Sequence, residues 1–157
     1  MRKQVETLKD EENTRLTDVL KRLEKEEARY QKGLTKSLAK EVRDAISESD
    51  RLLARAEKTE YPYRATEFMK RATEVLSNAV NNQVQELEAA ADCFEQWPKL
   101  ESAINGSSLS GSQRDVLTTN IRTIGAHFVA GELREAVSMF DITQQMFEEA
   151  TGKKWKP

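Results

Sequence analysis

Between Arg2 and Lys58 the chain carries no proline and one glycine, Gly33. Apolar residues recur there at Val5, Leu8, Leu16, Leu20, Leu23, Tyr30, Leu34, Leu38, Val42, Ile46, Leu53 and Ala56. The steps are mostly three, four or seven, which places these residues on one stripe of a helix. Unbroken, such a helix would run to about 85 Å at about 1.5 Å per residue. Gly33 is the poorest helix former in the stretch and the place to expect a break or bend. Leu16, Leu23 and Tyr30 are spaced by seven, but Leu34, Ala45 and Ala56 are spaced by eleven. An eleven-residue repeat needs almost no supercoil, so a strict left-handed coiled coil is not the expectation.

Charge separates this stretch from the rest of the chain. Residues 1–60 hold 15 Lys/Arg and 14 Asp/Glu, whereas the longer remainder holds 10 and 13. The first region therefore reads as a mixed-charge amphipathic helix with a narrow apolar stripe. Opposite charges at helical spacing, such as Lys21 and Glu24, keep its outer face soluble and are worth only a few tenths of a kcal/mol each. The net charge of the whole chain is -2. No broad basic field exists to recruit nucleic acid or an anionic membrane. No apolar run is long enough for a transmembrane span, and the charged start, Arg2 to Glu6, does not resemble a secretory signal. A single cysteine fits a reducing compartment, and the expectation is a cytoplasmic protein.

Tyr61-Pro62-Tyr63 ends the first region, since Pro62 biases Tyr61 away from helical angles and suits the start of a new helix. A second helix is predicted from about Tyr63 to Gln96, on the stripe Phe68, Ala72, Val75, Leu76, Ala79, Val80, Val84, Leu87, Ala91 and Phe94. Pro98 is expected to stop or restart it, leaving Leu100 and Ile104 on a short extra turn. The small polar residues from Asn105 to Ser112 mark a loop, with capping-box spacing at Ser110 and Gln113 and at Ser112 and Asp115. A helix then carries Val116, Leu117, Ile121, Ile124 and Phe128. After the short turn at Gly131-Glu132, the last helix carries Leu133, Val137, Phe140, Met146 and Phe147, with Gly152 as its C-terminal cap. So short a connection makes these two helices antiparallel. The expected fold is all-α. A long N-terminal charged helix (1–60) precedes an antiparallel bundle of three to four helices (61–152), and a basic tail (153–157) completes the chain. Trp155 in that tail either stays out as part of a solubility tail or folds back on the bundle.

Candidate chemistry is sparse. One histidine and one cysteine cannot build a dedicated zinc site or a disulfide. His127 lies beside Ile124 and Phe128 without an evident sequence-local acid to orient it, and it reads as a surface or half-buried structural residue. Cys93, next to Phe94, reads as a small core residue. A di-iron bundle needs Glu-x-x-His pairs on two helices, which this chain lacks. Glu11-Glu12 and Glu148-Glu149 read as solvent-facing pairs. The glycines at 106 and 111 are not followed by the Lys-Ser or Lys-Thr of a phosphate-binding loop. No catalytic residue, cofactor or metal is predicted.

From Ser108 to Thr151 the pattern resembles the C-terminal helical lid of Hsp70-type chaperones. The features that carry the likeness are the helix start Leu109-Ser110 and the run Val116, Leu117, Ile121, Ile124 and Phe128. The Gly131-Glu132 turn and the final helix complete it. The resemblance implies a mobile cover over a peptide-binding domain, modulating how fast a client polypeptide leaves, without ATP hydrolysis of its own. The charged extension of residues 1–60 is longer than a lid needs. It points to a second reading, a helical interaction or scaffolding module. In that reading Leu16, Leu20, Leu23, Tyr30, Leu34 and Leu38 engage a partner helix or a second copy of the chain as a homodimer.

Overall fold

Nearly every described residue lies in a helix. The computed structural model describes residues 2–29 and 32–157, and among these there is no strand. The helices are α1 (Arg2–Glu26), α2 (Leu34–Lys58), α3 (Pro62–Glu74), α4 (Asn81–Asn105), α5 (Gly111–Val129) and α6 (Leu133–Thr151). A 3-10 turn, Glu27–Arg29, extends α1, and a π-helical segment, Val75–Val80, joins α3 to α4. The chain is all-α and opens on a long charged helix, as the periodicity predicts.

That first helix is much shorter than the stripe alone suggests. Its apolar spacing continues to Ala56, but the chain breaks after Glu26 and α2 starts anew at Leu34. Gly33 has φ +84°, a left-handed angle that only glycine adopts without steric cost. The two helices then fold back on each other. Lys9 pairs with Asp50 and Arg2 with Glu57, so the start of α1 meets the end of α2 and the helices are antiparallel.

Two compact units result. The first comprises Met1–Glu24 with Thr35–Leu87, the second Lys25–Leu34 with Glu88–Pro157. In the first unit α3 leaves α2 at a tight corner, and the Arg55 guanidinium lies 6.0 Å from the Phe68 ring centre. Arg15 on α1 reaches Asn81 at the start of α4, while Leu8 and Thr73 line one groove, so α1 runs alongside α3 in the same direction. The core between these helices is aliphatic: Val5, Leu16, Val19, Leu20, Val42, Ile46, Leu53, Ala72, Leu76 and Val84 are all buried.

The second unit is an up-and-down arrangement of the later part of α4 with α5 and α6. The Phe94 and Phe128 rings pack at a 43° tilt with centres 4.0 Å apart, and Gly125 faces the Trp97 ring so closely that an added Cβ would come to 3.3 Å. Ile104, Leu117, Ile121, Ile124, Phe140 and Phe147 complete the core. Pro98 does not end its helix; α4 continues to Asn105. Proline takes its own amide out of the ladder and crowds the carbonyl four residues earlier, but the turn beyond it buries Leu100 and Ile104 almost completely, which offsets the loss. The local signals at α5 and α6 are realised. The Ser110 hydroxyl accepts from the Gln113 amide at 3.3 Å, Gly131 turns at φ +78°, and Gly152 caps α6 at φ +72°. The basic tail folds back: Trp155 packs edge-on against Phe140 at 6.3 Å, and its backbone amide donates to Glu148 Oε2 at 3.0 Å.

Candidate docking groove

The leucine stripe proposed for partner binding is mostly core. Leu16, Leu20 and Leu23 are 4%, 7% and 1% exposed, and Leu34 is 6% exposed. Leu38 is half-buried, and Tyr30 lies outside the described residues. A narrow stripe on a lone helix would have to find cover elsewhere. Here the fold-back onto α2 supplies that cover for Leu16 and Leu20, which contribute to the lining of a groove of about 340 Å³ between α1 and α2.

What α1 leaves open is its flank next to α3. A groove of about 780 Å³ runs between the two helices, lined by Lys3, Gln4, Thr7, Leu8 and Glu11 from α1 and by Lys70, Thr73 and Glu74 from α3. Gln4, Thr7, Leu8 and Glu11 stand at i, i+3, i+4 and i+7 with Lys3 beside them, and Lys70, Thr73 and Glu74 stand at i, i+3 and i+4, so each helix contributes one edge. Leu8 is the one apolar side chain in this lining, flanked by two threonine methyls. On each helix the lysine precedes the glutamate, so both edges are ordered the same way.

A buried polar cluster fixes the spacing of the two walls. Glu12 is only 4% exposed, and its carboxylate accepts from Arg15 Nη1 at 3.1 Å. The same nitrogen donates to Asn81 Oδ1 at 2.7 Å, tying α1 to the residue directly after the π-helical segment. The reading of Glu11-Glu12 as a solvent-facing pair therefore holds for Glu11 and fails for Glu12. A carboxylate in this position must be paired to be tolerated. The wider π winding takes up more residues per turn than an α-helix, and segments of this kind are frequent at functional sites.

The other sequence candidates have structural surroundings. His127 does have a nearby acid, Glu132, with Nδ1 to Oε1 at 3.4 Å across the Gly131 turn. Five residues separate the two, and the left-handed glycine brings them together. Cys93 is buried, and burial together with the carboxylates of Asp141 and Asp92 pushes its thiol up to about 12. A thiol held protonated is a poor nucleophile. Glu148, also read as a solvent-facing carboxylate, is half-buried where it holds the tail. At the corner between α2 and α3, Tyr61 and Tyr63 are 53% and 64% exposed, with the Arg64 guanidinium 5.2 Å and 5.9 Å from their ring centres. A smaller groove of about 380 Å³ lies between α5 and α6, lined in part by Val116, Met146 and Ala150. Among the described residues no three His, Cys, Asp or Glu side chains are gathered as metal ligands, and no helix is long and apolar enough to cross a membrane.

Sequence reasoning misses Lys3, Glu11, Lys70 and Glu74 as a set. Their signal is a lysine placed eight residues before a glutamate on one helix and four before a glutamate on the other. It gains meaning only once α1 and α3 lie side by side. Comparison with protein-family models, with curated proteins and with solved structures finds no match for the chain.

Proposed function

We propose that the chain is a non-enzymatic helical protein-interaction module, and that the groove between α1 and α3 is the surface through which it acts. The observation that carries this reading is the groove itself. It is long and open, walled by two helices held in fixed register by the Glu12–Arg15–Asn81 cluster. A furrow between parallel helices suits another helix, laid in through residues at i, i+4 and i+7. The polar residues gathered elsewhere in the fold have structural roles: Glu12 anchors a helix, Cys93 fills core, and Glu148 holds the tail.

The test is a photo-reactive amino acid placed at Thr73, in the groove, and separately at Ser47. Cross-linking to a polypeptide is expected from position 73 and weak or absent from position 47. Equal labelling from both positions would count against the groove. A second reading, a lid-like cover of a peptide-binding domain, draws support from one feature. A continuous helix from Pro62 to Asn105 leads into the antiparallel α5–α6 pair through the Ser110-capped start. In that reading the module acts on a client polypeptide held by a neighbouring domain. Fusion to such a domain would slow peptide release measurably, and an unchanged release rate would dismiss it.

A further inference from the structure

The charges along the groove have a symmetry that selects one occupant. On α1, Lys3 and Glu11 stand four residues on either side of Thr7. On α3, Lys70 and Glu74 stand two residues on either side of Ala72. Lys3, Thr7 and Glu11 line the same groove as Lys70, Thr73 and Glu74, so the two charge pairs lie alongside each other. On both helices the lysine precedes the glutamate, and the helices run in the same direction, so the two edges carry their charges in the same order.

Two edges with the same charge order are complementary to a second copy related by a twofold axis, which reverses that order. An isologous interface must carry each group and its complement at equal distances from the axis, because the same patch supplies both sides. Placing the axis across the groove at Thr7 stacks α1 on α1 of a second copy, antiparallel, and α3 on α3 likewise. Lys3 then faces Glu11 of the second copy, and Lys70 comes within side-chain reach of Glu74 of the second copy. At the centre lie Thr7 and Thr73, small enough for close approach, with Leu8 beside them. A partner helix with a uniform charge would meet repulsion at one end of the groove. A second copy rotated by half a turn meets none.

We infer that the α1–α3 face is a homodimer interface, in which two copies pack groove to groove about a twofold axis across the groove near Thr7. This rests on the interaction-module reading and names its partner. Lys70 pairs with Glu67 at 3.6 Å within one copy, an exposed contact that exchanges readily for an intermolecular one. The charged pairs that would join the copies are exposed in the single chain, so the dimer is concentration- and salt-dependent.

Sedimentation equilibrium over a range of concentrations tests it. The expected apparent mass rises from 17.9 kDa toward twice that value. The double variant Lys3→Glu with Lys70→Glu places like charges opposite each other and weakens association about tenfold or more. Adding Glu11→Lys and Glu74→Lys restores it, because the swapped pattern has the same symmetry. All four positions are exposed, and circular dichroism verifies that each variant stays helical. A monomer at every concentration, or a dimer indifferent to the swap, overturns the inference. The cross-linker at Thr73 distinguishes the dimer from the broader interaction module. A product of twice the chain mass supports the dimer. A product of any other mass overturns the dimer and keeps the interaction module. No product counts against both.

Discussion

The first unit has an aliphatic core with one buried carboxylate, whereas the second buries phenylalanine rings and a thiol. Every buried phenylalanine among the described residues, Phe94, Phe128, Phe140 and Phe147, belongs to the second unit. The first unit has Val5, Leu16, Val42, Leu76 and their neighbours, with Glu12 among them. Rings bury more area per residue, so the second unit reaches a dense core with few side chains and ordinary surface charge. The first must spread its burial along three narrow stripes. Its flanks are clasped by ion pairs between helices, Lys9 with Asp50 and Arg2 with Glu57. Such exposed pairs add little energy, but they discriminate against wrong helix registers. A narrow stripe with heavy charge thus marks a helix that folds against its own chain and leaves a charged flank to face outward.

The contrast can be broken most sharply at Phe128. Phe128→Ala removes one of the two packed rings and is expected to cost about 3–5 kcal/mol. Urea unfolding followed by tryptophan fluorescence reads this directly, because Trp97 and Trp155 both lie in the second unit. In the first unit Glu12→Gln removes a buried charge and leaves Arg15 without its carboxylate, at a cost of about 1–3 kcal/mol. Urea melts followed by circular dichroism measure it. A loss as large as that at Phe128 would mean that the polar cluster, rather than the aliphatic stripes, holds the first unit together.

Gly33→Ala tests the turn that makes the hairpin. No atom lies within 4 Å of an added Cβ there, so only the left-handed backbone resists, at about 1–2 kcal/mol. The same melts check it, and no loss would show that the turn can relax to a negative φ. The smallest effect concerns Cys93. Its thiol is raised from 9.0 to about 12 in the folded chain. Above about pH 9 the unfolded chain releases this proton while the folded chain keeps it. The contribution is therefore fully present below the unfolded value and is lost as pH rises toward the folded one, by about 1.4 kcal/mol per pH unit. Cys93→Ala removes that share of the alkaline slope, read as the difference in urea midpoint between about pH 8 and about pH 10.

The elements most legible in the sequence are those written by neighbouring residues. The Ser110 cap, the Gly131 turn and the Gly152 terminus each depend on a few adjacent positions, and all three are where the pattern puts them. The α1–α2 hairpin is harder to read. Its apolar spacing is the same whether the helix continues or reverses, and only long-range contacts such as Lys9 with Asp50 decide. Gly33 is recognisable as a weak point, but not as a reversal. Pro98 misleads for the opposite reason, because a strong local breaker is overruled by the burial of Leu100 and Ile104 beyond it. The groove residues are legible singly, as surface charges, and only the side-by-side placement of α1 and α3 makes them a pattern.

Between Glu74 and Asn81 the chain carries a residue to spare. A π-helix takes about 4.4 residues per turn and an α-helix about 3.6, so the six residues of Val75–Val80 turn the chain about as far as five α-helical ones. Ser77, Asn78 and Ala79 are exposed there, while Leu76 and Val80 are buried. Deleting Asn78 would let ordinary winding resume, with the two buried residues three apart on one face and Asn81 still turned toward Arg15. The same loss at Gln85, an exposed position in α4, has no slack to absorb it and would turn every later residue of the helix by about 100°. Length is therefore negotiable at one place in this long helix and fixed on either side, so a screen of single-residue deletions should pass those at 77–79 and fail the one at 85.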